Sequence, residues 1–150
     1  MVLEFVVSLL LVALTVLIHY EVLRLASLSL GWVSIAPRAR ILVVIFYAFI
    51  AHLMEVALFA ATFFLLIEEW GIGALAGNRQ GGFYDYLYFS LSSYTSLGLG
   101  DIYLQDALRF LSGVEALIGL MMITWTASFT YLAMEKFWDI NGTANKRSSR

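Results

Sequence analysis

The chain contains no cysteine, a single proline and few charged residues, which make up 13% of its 150 residues. The lack of cysteine excludes disulfide bonds, thiol catalysis and thiolate metal sites. Average soluble domains carry about 25% charged residues, so a charged fraction this low argues against a domain that faces water on all sides. No nucleophile, metal cluster or phosphate-binding loop is evident, and we do not expect an enzyme.

Hydrophobic residues make up 61% of the chain and concentrate in three long segments. The first covers residues 5–18 and extends, with polar interruptions, toward residue 30; the others cover residues 41–67 and 109–137. A helix needs about 20 apolar residues to span a bilayer. The sequence therefore predicts an all-α membrane protein with three transmembrane helices.

A fourth, shorter segment lies between the second and third spans. Five glycines in residues 71–82 predict a mobile, solvent-exposed loop. The aromatic stretch that follows, residues 83–95, covers only about 18 Å as a helix. This length is too short to cross the bilayer and return, so we expect a half-helix that enters from one side. Asp85 lies in its first turn, where a carboxylate complements the helix dipole.

Residues 92–102 form a polar, glycine-punctuated stretch inside this apolar chain. Irregular backbone at membrane depth is tolerated only where protein buries it or where it lines a water-filled cavity. Gly98 and Gly100 allow backbone angles that other residues resist. We interpret this stretch as the lining of an ion path.

The order of these features resembles the pore module of the potassium-channel superfamily, over about residues 41–138. The resemblance rests on residues 84–90, on residues 94–101 and on the apolar span that follows, which contains Glu115 and Gly119. The family signature is T-x-G-x-G-D, and its G-x-G-D core is present here. Ser96 stands where threonine is usual, and Leu97 stands where valine or isoleucine is usual. Leu99 stands where tyrosine or phenylalanine is usual.

The resemblance implies a division into three parts. Residues 1–40 would form an additional N-terminal transmembrane helix with a cytoplasmic connection, residues 41–138 the pore domain, and residues 139–150 a cytoplasmic tail. The pore domain would contain an outer helix (residues 41–68), a turret (71–82), a re-entrant pore helix (83–95), a selectivity filter (96–101) and an inner helix (109–138).

The resemblance also implies a cation channel, most readily a potassium channel, assembled from identical subunits as a symmetric homotetramer in the lipid bilayer. Main-chain carbonyls and one hydroxyl would replace the hydration shell of a dehydrated K⁺; they belong to Ser96, Leu97, Gly98 and Leu99. Four residues would support this filter: Thr95, Gly100, Asp101 and Glu115. We expect no cofactor beyond the permeant ion, no nucleic acid and no organic substrate.

Two alternatives stay open. Leu99 can pack but cannot form a side-chain hydrogen bond, so the carbonyl cage could be looser and admit Na⁺ as well. The chain would then be a weakly selective monovalent cation channel. Alternatively, the re-entrant loop is only a packed element of a non-conducting membrane assembly or accessory subunit.

His52 and Glu55 lie three residues apart on one face of the second span. Ionisable residues at this depth are costly and suggest function, here a proton-sensitive gate. The alternative is a buried hydrogen bond that joins this helix to the first span or to hydroxyls of the third. A metal centre is not expected, because His19 is the only other histidine. Gly119 is either a hinge of the gate or a site of close helix packing.

Cationic residues predict the orientation. Seven would lie on one side of the membrane, namely Arg24, Arg38, Arg40, Lys136, Lys146, Arg147 and Arg150, and two on the other, Arg79 and Arg109. The positive-inside rule then places the N-terminus outside and the C-terminus in the cytoplasm. We expect a prokaryotic plasma membrane.

Overall fold

The computed structural model describes residues 2–30, 36 and 39–138. Its elements are α1 (Val2–Ser29), α2 (Arg40–Phe64), β1 (Leu75–Gly77), α3 (Phe83–Tyr94), β2 (Ile102–Leu104) and α4 (Leu108–Trp138). Part of the predicted cytoplasmic connection and the whole tail, with four of the counted cations, Arg38, Lys146, Arg147 and Arg150, lie outside the described residues. The fold is that of an all-α membrane protein, as predicted.

Three of the helices are long and apolar enough to cross a membrane: α1, α4, and α2 together with its continuation to Glu69. In α1 one stripe of residues is buried at spacings of three or four, as expected of a helix that packs along one side; its members are Ser8, Leu11, Thr15, His19, Leu23 and Ala26. The opposite side is apolar and exposed. The first span therefore continues through its polar interruptions to Ser29.

The glycine-rich loop was predicted to be a mobile, exposed connection, but it contains a strand that pairs with the segment after α3. It follows a single π-helical turn, Leu65–Glu69, and contains strand β1, which pairs in antiparallel fashion with β2. Leu75 lies opposite Leu104, and Gly77 lies opposite Ile102. A side chain at Gly77 would overlap the Asp101 carbonyl. The glycines thus allow backbone conformations that hold this loop against the segment after α3.

Helix α3 lies between α2 and α4 and forms the centre of the core. Its Tyr86 and Tyr94 are fully buried. The Phe89 ring packs edge-on against Phe63 of α2, with 5.6 Å between ring centroids. Aromatic pairs prefer such edge-to-face geometry. The short helix is therefore fixed in place by both of its long neighbours.

Candidate functional site

The C-terminal end of α3 begins the site. The Ser96 N–H donates to the Ser93 carbonyl at 2.9 Å, and the Leu97 N–H donates to the Ser92 carbonyl at 3.0 Å. This pair of bonds is a Schellman motif, in which the residue after the helix cap adopts a left-handed conformation. Ser96 occupies that position with φ of 57°. The helix thus ends sharply and the chain reverses into the predicted filter.

The next amides also turn back toward α3. The Gly98 N–H donates to the Ser92 carbonyl at 3.2 Å, and the Leu99 N–H donates to the Ser92 hydroxyl at 3.2 Å. Gly98 and Gly100 have φ of 58° and 78°, a region that glycine enters without steric cost. Four consecutive N–H groups, from Ser96 to Leu99, are therefore bound on the side of the pore helix.

The carbonyl oxygens of the same four residues have a different environment. Within the part of the chain that the structure describes, none of them accepts a hydrogen bond. The segment is exposed in the single subunit, with Leu97 and Leu99 66% and 55% accessible. Backbone carbonyls normally find a partner once they are buried. In this exposed segment the four carbonyl oxygens are therefore open to solvent, to an ion or to another chain.

Asp101 closes the outer end of this segment. The Tyr88 hydroxyl of α3 donates to the Asp101 carboxylate at 2.9 Å, and the Asn78 N–H donates to the Asp101 carbonyl at 2.9 Å. The hydrogen bond to Asp101, together with burial, raises the pKa of Tyr88. Asp101 thus joins the predicted filter segment to both α3 and the glycine-rich loop.

Asp85 holds the other end of α3. Its carboxylate accepts hydrogen bonds from the Gly81 N–H at 2.7 Å and the Gln80 N–H at 3.2 Å, and Arg79 lies 3.5 Å away. Burial raises the pKa of Asp85, but these bonds and the guanidinium outweigh it and hold that pKa below its ordinary value. The first turn of the pore helix is thus bound to the loop, as the helix-dipole argument favours.

Glu115 of α4 reaches the middle of the pore helix, as expected from its sequence position. It is fully buried and shares a hydrogen bond with the Ser90 hydroxyl, which also donates to the Val56 carbonyl at 2.9 Å. A hydroxyl carries one hydrogen. A protonated Glu115 carboxyl supplies the second hydrogen that these two contacts need, and it avoids an ionised group in the core.

Gly119 lies against the end of the pore helix. A Cβ atom there would overlap the Tyr94 carbonyl oxygen and would lie 3.0 Å from the Tyr94 Cγ. No such neighbour lies within 4 Å of a Cβ built at Gly113. Of the two sequence interpretations of Gly119, the contact geometry favours close packing.

His52 and Glu55 join three helices to the pore helix. The His52 Nδ1 lies 2.9 Å from the Tyr94 hydroxyl, and its Nε2 lies 3.0 Å from the Thr126 hydroxyl of α4. The Glu55 carboxylate bonds to Tyr94 and, at 2.9 Å, to the His19 Nδ1 of α1. Both interhelical partners that the sequence suggested, the first and the third span, are present.

The structure corrects one step of the sequence reasoning. The sequence argument discounted a metal centre because no further metal-ligating side chains lie near His52 and Glu55 along the chain. In the structure, however, His19 lies directly beside both residues. The signal available in the sequence was the position of His19 at helical spacing from Thr15 and Leu23 in the first span. These nitrogen and oxygen atoms are engaged in hydrogen bonds with one another, and Tyr94 and Thr126 complete the set. Sequence reasoning did not find the role of Tyr94.

Three bilayer-length helices, with a short buried helix and an exposed carbonyl row between the second and third, define an integral membrane protein with a re-entrant segment. The family model described as Ion channel matches residues 51–136, more than half of the chain, and the chain belongs to this family. Comparisons with curated proteins and with solved structures give no match.

Proposed function

We propose that this chain is the subunit of a potassium-conducting channel and that its filter is the segment from Ser96 to Asp101. The observation that carries the proposal is the asymmetry of this backbone. Four N–H groups are bound behind the segment, while the four carbonyl oxygens of Ser96 to Leu99 have no protein partner within the described residues. Rows of carbonyl oxygens replace the hydration shell of a permeant ion in channel filters.

One row of carbonyls cannot surround an ion, so the proposal requires several copies around an axis. Heterologous contacts between identical chains close into rings when the rotation allows it. Four copies would bring four filter segments together and cover the exposed Leu97 and Leu99. The proposed assembly is therefore a homotetramer with residues 96–101 on its axis.

The charges around the segment suit a cation. The only charged side chain in residues 95–101 is the acidic Asp101. The C-terminal end of α3, which carries the partial negative charge of the helix dipole, lies at the inner end of the filter. Glu69 and Asp106, both exposed, add negative charge to the loops on either side of it.

The positive-inside count supports an orientation with the N-terminus outside and the C-terminus in the cytoplasm. In this orientation the glycine-rich loop and the Asp101 end of the filter face outward. We propose a prokaryotic plasma membrane as the setting.

Flux through liposomes tests the proposal. Purified protein should pass K⁺ down a gradient, and Gly98→Ala should lose most of that flux while still inserting, because an alanine at φ of 58° is strained and shifts the adjacent carbonyls. Gly113→Ala is the matched control, since its Cβ meets no neighbour. Normal flux in Gly98→Ala would show that the filter lies elsewhere.

Leu99 gives a specific reason for a second candidate, the weakly selective cation channel. Its side chain has no polar atom, and its N–H is held only by the Ser92 hydroxyl, so fewer bonds fix the width of the cage. Reversal potentials in mixed K⁺ and Na⁺ decide between the two. A K⁺ permeability well above that of Na⁺ supports the potassium channel, and equal permeabilities support the second candidate. Absence of any current favours the accessory subunit.

A further inference from the structure

Five side chains from four helices, three of them buried and two half-buried, form a closed ring of hydrogen bonds. Starting at Glu55, the ring passes to His19, Thr126, His52 and Tyr94 and returns to Glu55. The two contacts of Thr126 measure 3.2 Å to the His19 Nε2 and 3.0 Å to the His52 Nε2. Each residue therefore makes two hydrogen bonds within the ring, which has five in all, and the His52 Nδ1 also lies 3.5 Å from the Glu55 carboxylate.

A count of hydrogens shows what this ring requires. Each contact needs one hydrogen, whichever of its two atoms carries it. The two hydroxyls and two neutral imidazoles supply one hydrogen each, and an ionised carboxylate supplies none. Four hydrogens cannot serve five contacts, whatever the tautomers of the histidines. One contact would then join two acceptors inside the protein, which costs free energy.

From this shortfall we infer that the ring is a binding site for one additional proton. The fifth hydrogen completes every contact and makes the ring neutral overall. Without it, the site would carry a net charge of −1 from a fully buried Glu55 at membrane depth, where an uncompensated charge is costly. Hydrogen bonding and charge thus require the same protonation state.

The additional proton lies on His52 or on His19, depending on which of the two rings accepts the Thr126 hydroxyl hydrogen, and we assign it to His52, the more accessible ring. Tyr94 donates to the Glu55 carboxylate, so the hydrogen between Tyr94 and His52 has to come from the His52 Nδ1. If the Thr126 hydroxyl donates to His19, the other His52 nitrogen donates to Thr126. His52 is then an imidazolium, and it is the more accessible of the two rings, 20% exposed against 0% for His19.

The titratable and charged groups around the ring come from all the helices packed there. They are His19 on α1, His52 and Glu55 on α2, and Tyr94 on α3. On α4 the ring contacts the uncharged Thr126 and Trp125, whose indole lies 5.3 Å from the His19 ring centroid. Glu115 of α4 lies about one helical turn along α3 from Tyr94, at Ser90, with which it shares a hydrogen bond.

The ring gives the additional N-terminal helix a direct connection to the filter. Tyr94 is the last residue of α3, two positions before the first proposed ion ligand, Ser96. Loss of the proton would leave one contact without a hydrogen and weaken the attachment of α1 and α2 to this point. The inference concerns protonation and packing, and it holds whether or not the chain conducts.

Nitrogen-15 NMR of histidine-labelled protein in lipid bilayers tests the proton directly. At neutral pH we expect His52 to carry hydrogens on both nitrogens and His19 on one. In Glu55→Gln the amide itself donates the fifth hydrogen, so both rings should become neutral. Two singly protonated rings beside an ionised Glu55 in the wild type would overturn the proposal. A protonated Glu55 between two neutral rings would overturn the assignment to His52.

Thermal unfolding gives a second readout that needs no conduction. Raising the pH to remove the proton should lower the unfolding midpoint of the wild-type assembly by several degrees more than that of Glu55→Gln, whose ring needs no extra proton. Other titrating groups are common to both proteins and cancel in the comparison. An equal loss in both would contradict the inference, as would a ring that keeps its hydrogen bonds in the alkaline wild type.

Discussion

Gly119 sets the distance between the end of the pore helix and α4. A Cβ there would overlap the Tyr94 carbonyl, which cannot move without disturbing the start of the filter. Gly119→Ala should therefore lower the stability of the protein by about 1–3 kcal/mol, as overpacking does. Thermal unfolding in lipid or detergent measures this loss. Gly113→Ala is the control and should be neutral or slightly stabilising, because alanine favours a helix; equal behaviour of both variants would contradict the packing.

Substitutions of Glu115 test whether its buried carboxyl group is protonated. Glu115→Gln keeps the shape and supplies an N–H for Ser90, so we expect a stability close to that of the wild type. Glu115→Ala removes the partner and leaves a cavity, and it should cost about 2–5 kcal/mol, as comparable core truncations do. The unfolding midpoints of the two variants are the measurement. A glutamine variant as unstable as the alanine variant would indicate an ionised Glu115.

At the level of single residues, the sequence predicted which polar groups matter better than what they touch. Glu115, His52 and Glu55 stand out because ionisable groups are rare in apolar spans. For His52 and Glu55 the sequence indicates the partner helices, but it does not single out which residues of those helices they contact. His19 and Thr126 are 107 positions apart, and only the packing of α1 beside α4 brings them together.

Helix α3 depends on its first turn as well as on its buried aromatic residues. The pKa of Asp85 is held below its ordinary value, so its contribution to stability is present above its unfolded-state pKa and is lost as the pH falls through the folded-state value. Asp85→Asn should unfold with a weaker dependence on acid than the wild type. Parallel unfolding curves from neutral to acidic pH measure this, and identical acid dependence would contradict the role of Asp85.

The helices were predictable as elements and the strands were not. Long apolar runs place α1, α2 and α4, and a length too short to cross places α3. Strands β1 and β2 have three residues each and pair across the whole of α3. Segments this short carry no periodic signal, and the many glycines of the loop indicate flexibility when read alone.

The whole molecule presents apolar surface that a single subunit leaves uncovered. The proposed filter and the neighbouring face of α4 expose large side chains, among them Leu97, Leu99, Leu117 and Met121. If the proposed homotetramer covers this surface, native mass spectrometry from detergent should give a mass of four chains. Disruption of the filter by Gly98→Ala should leave that mass unchanged, because helix packing remains. A monomer under mild conditions would contradict the assembly, since one chain cannot surround an ion.

Membership of the Ion channel family follows from residues 51–136, and the apolar runs with the G-x-G-D core made this class predictable. The resemblance implies a homotetramer with its axis at residues 96–101, and this stays a prediction, because contacts between copies leave no pattern within one chain. The free carbonyl row is the feature that points to such an axis.

The most direct test of this proposed filter is the position of bound ions in the assembled protein. A crystal structure determined in Tl⁺ or Rb⁺, with anomalous scattering, locates them independently of the protein density. We expect peaks on the symmetry axis, each surrounded by carbonyl oxygens from residues 96–99 of every subunit. Filter segments that face away from the axis, or an axis without anomalous peaks, would contradict the proposal that residues 96–101 form an ion filter.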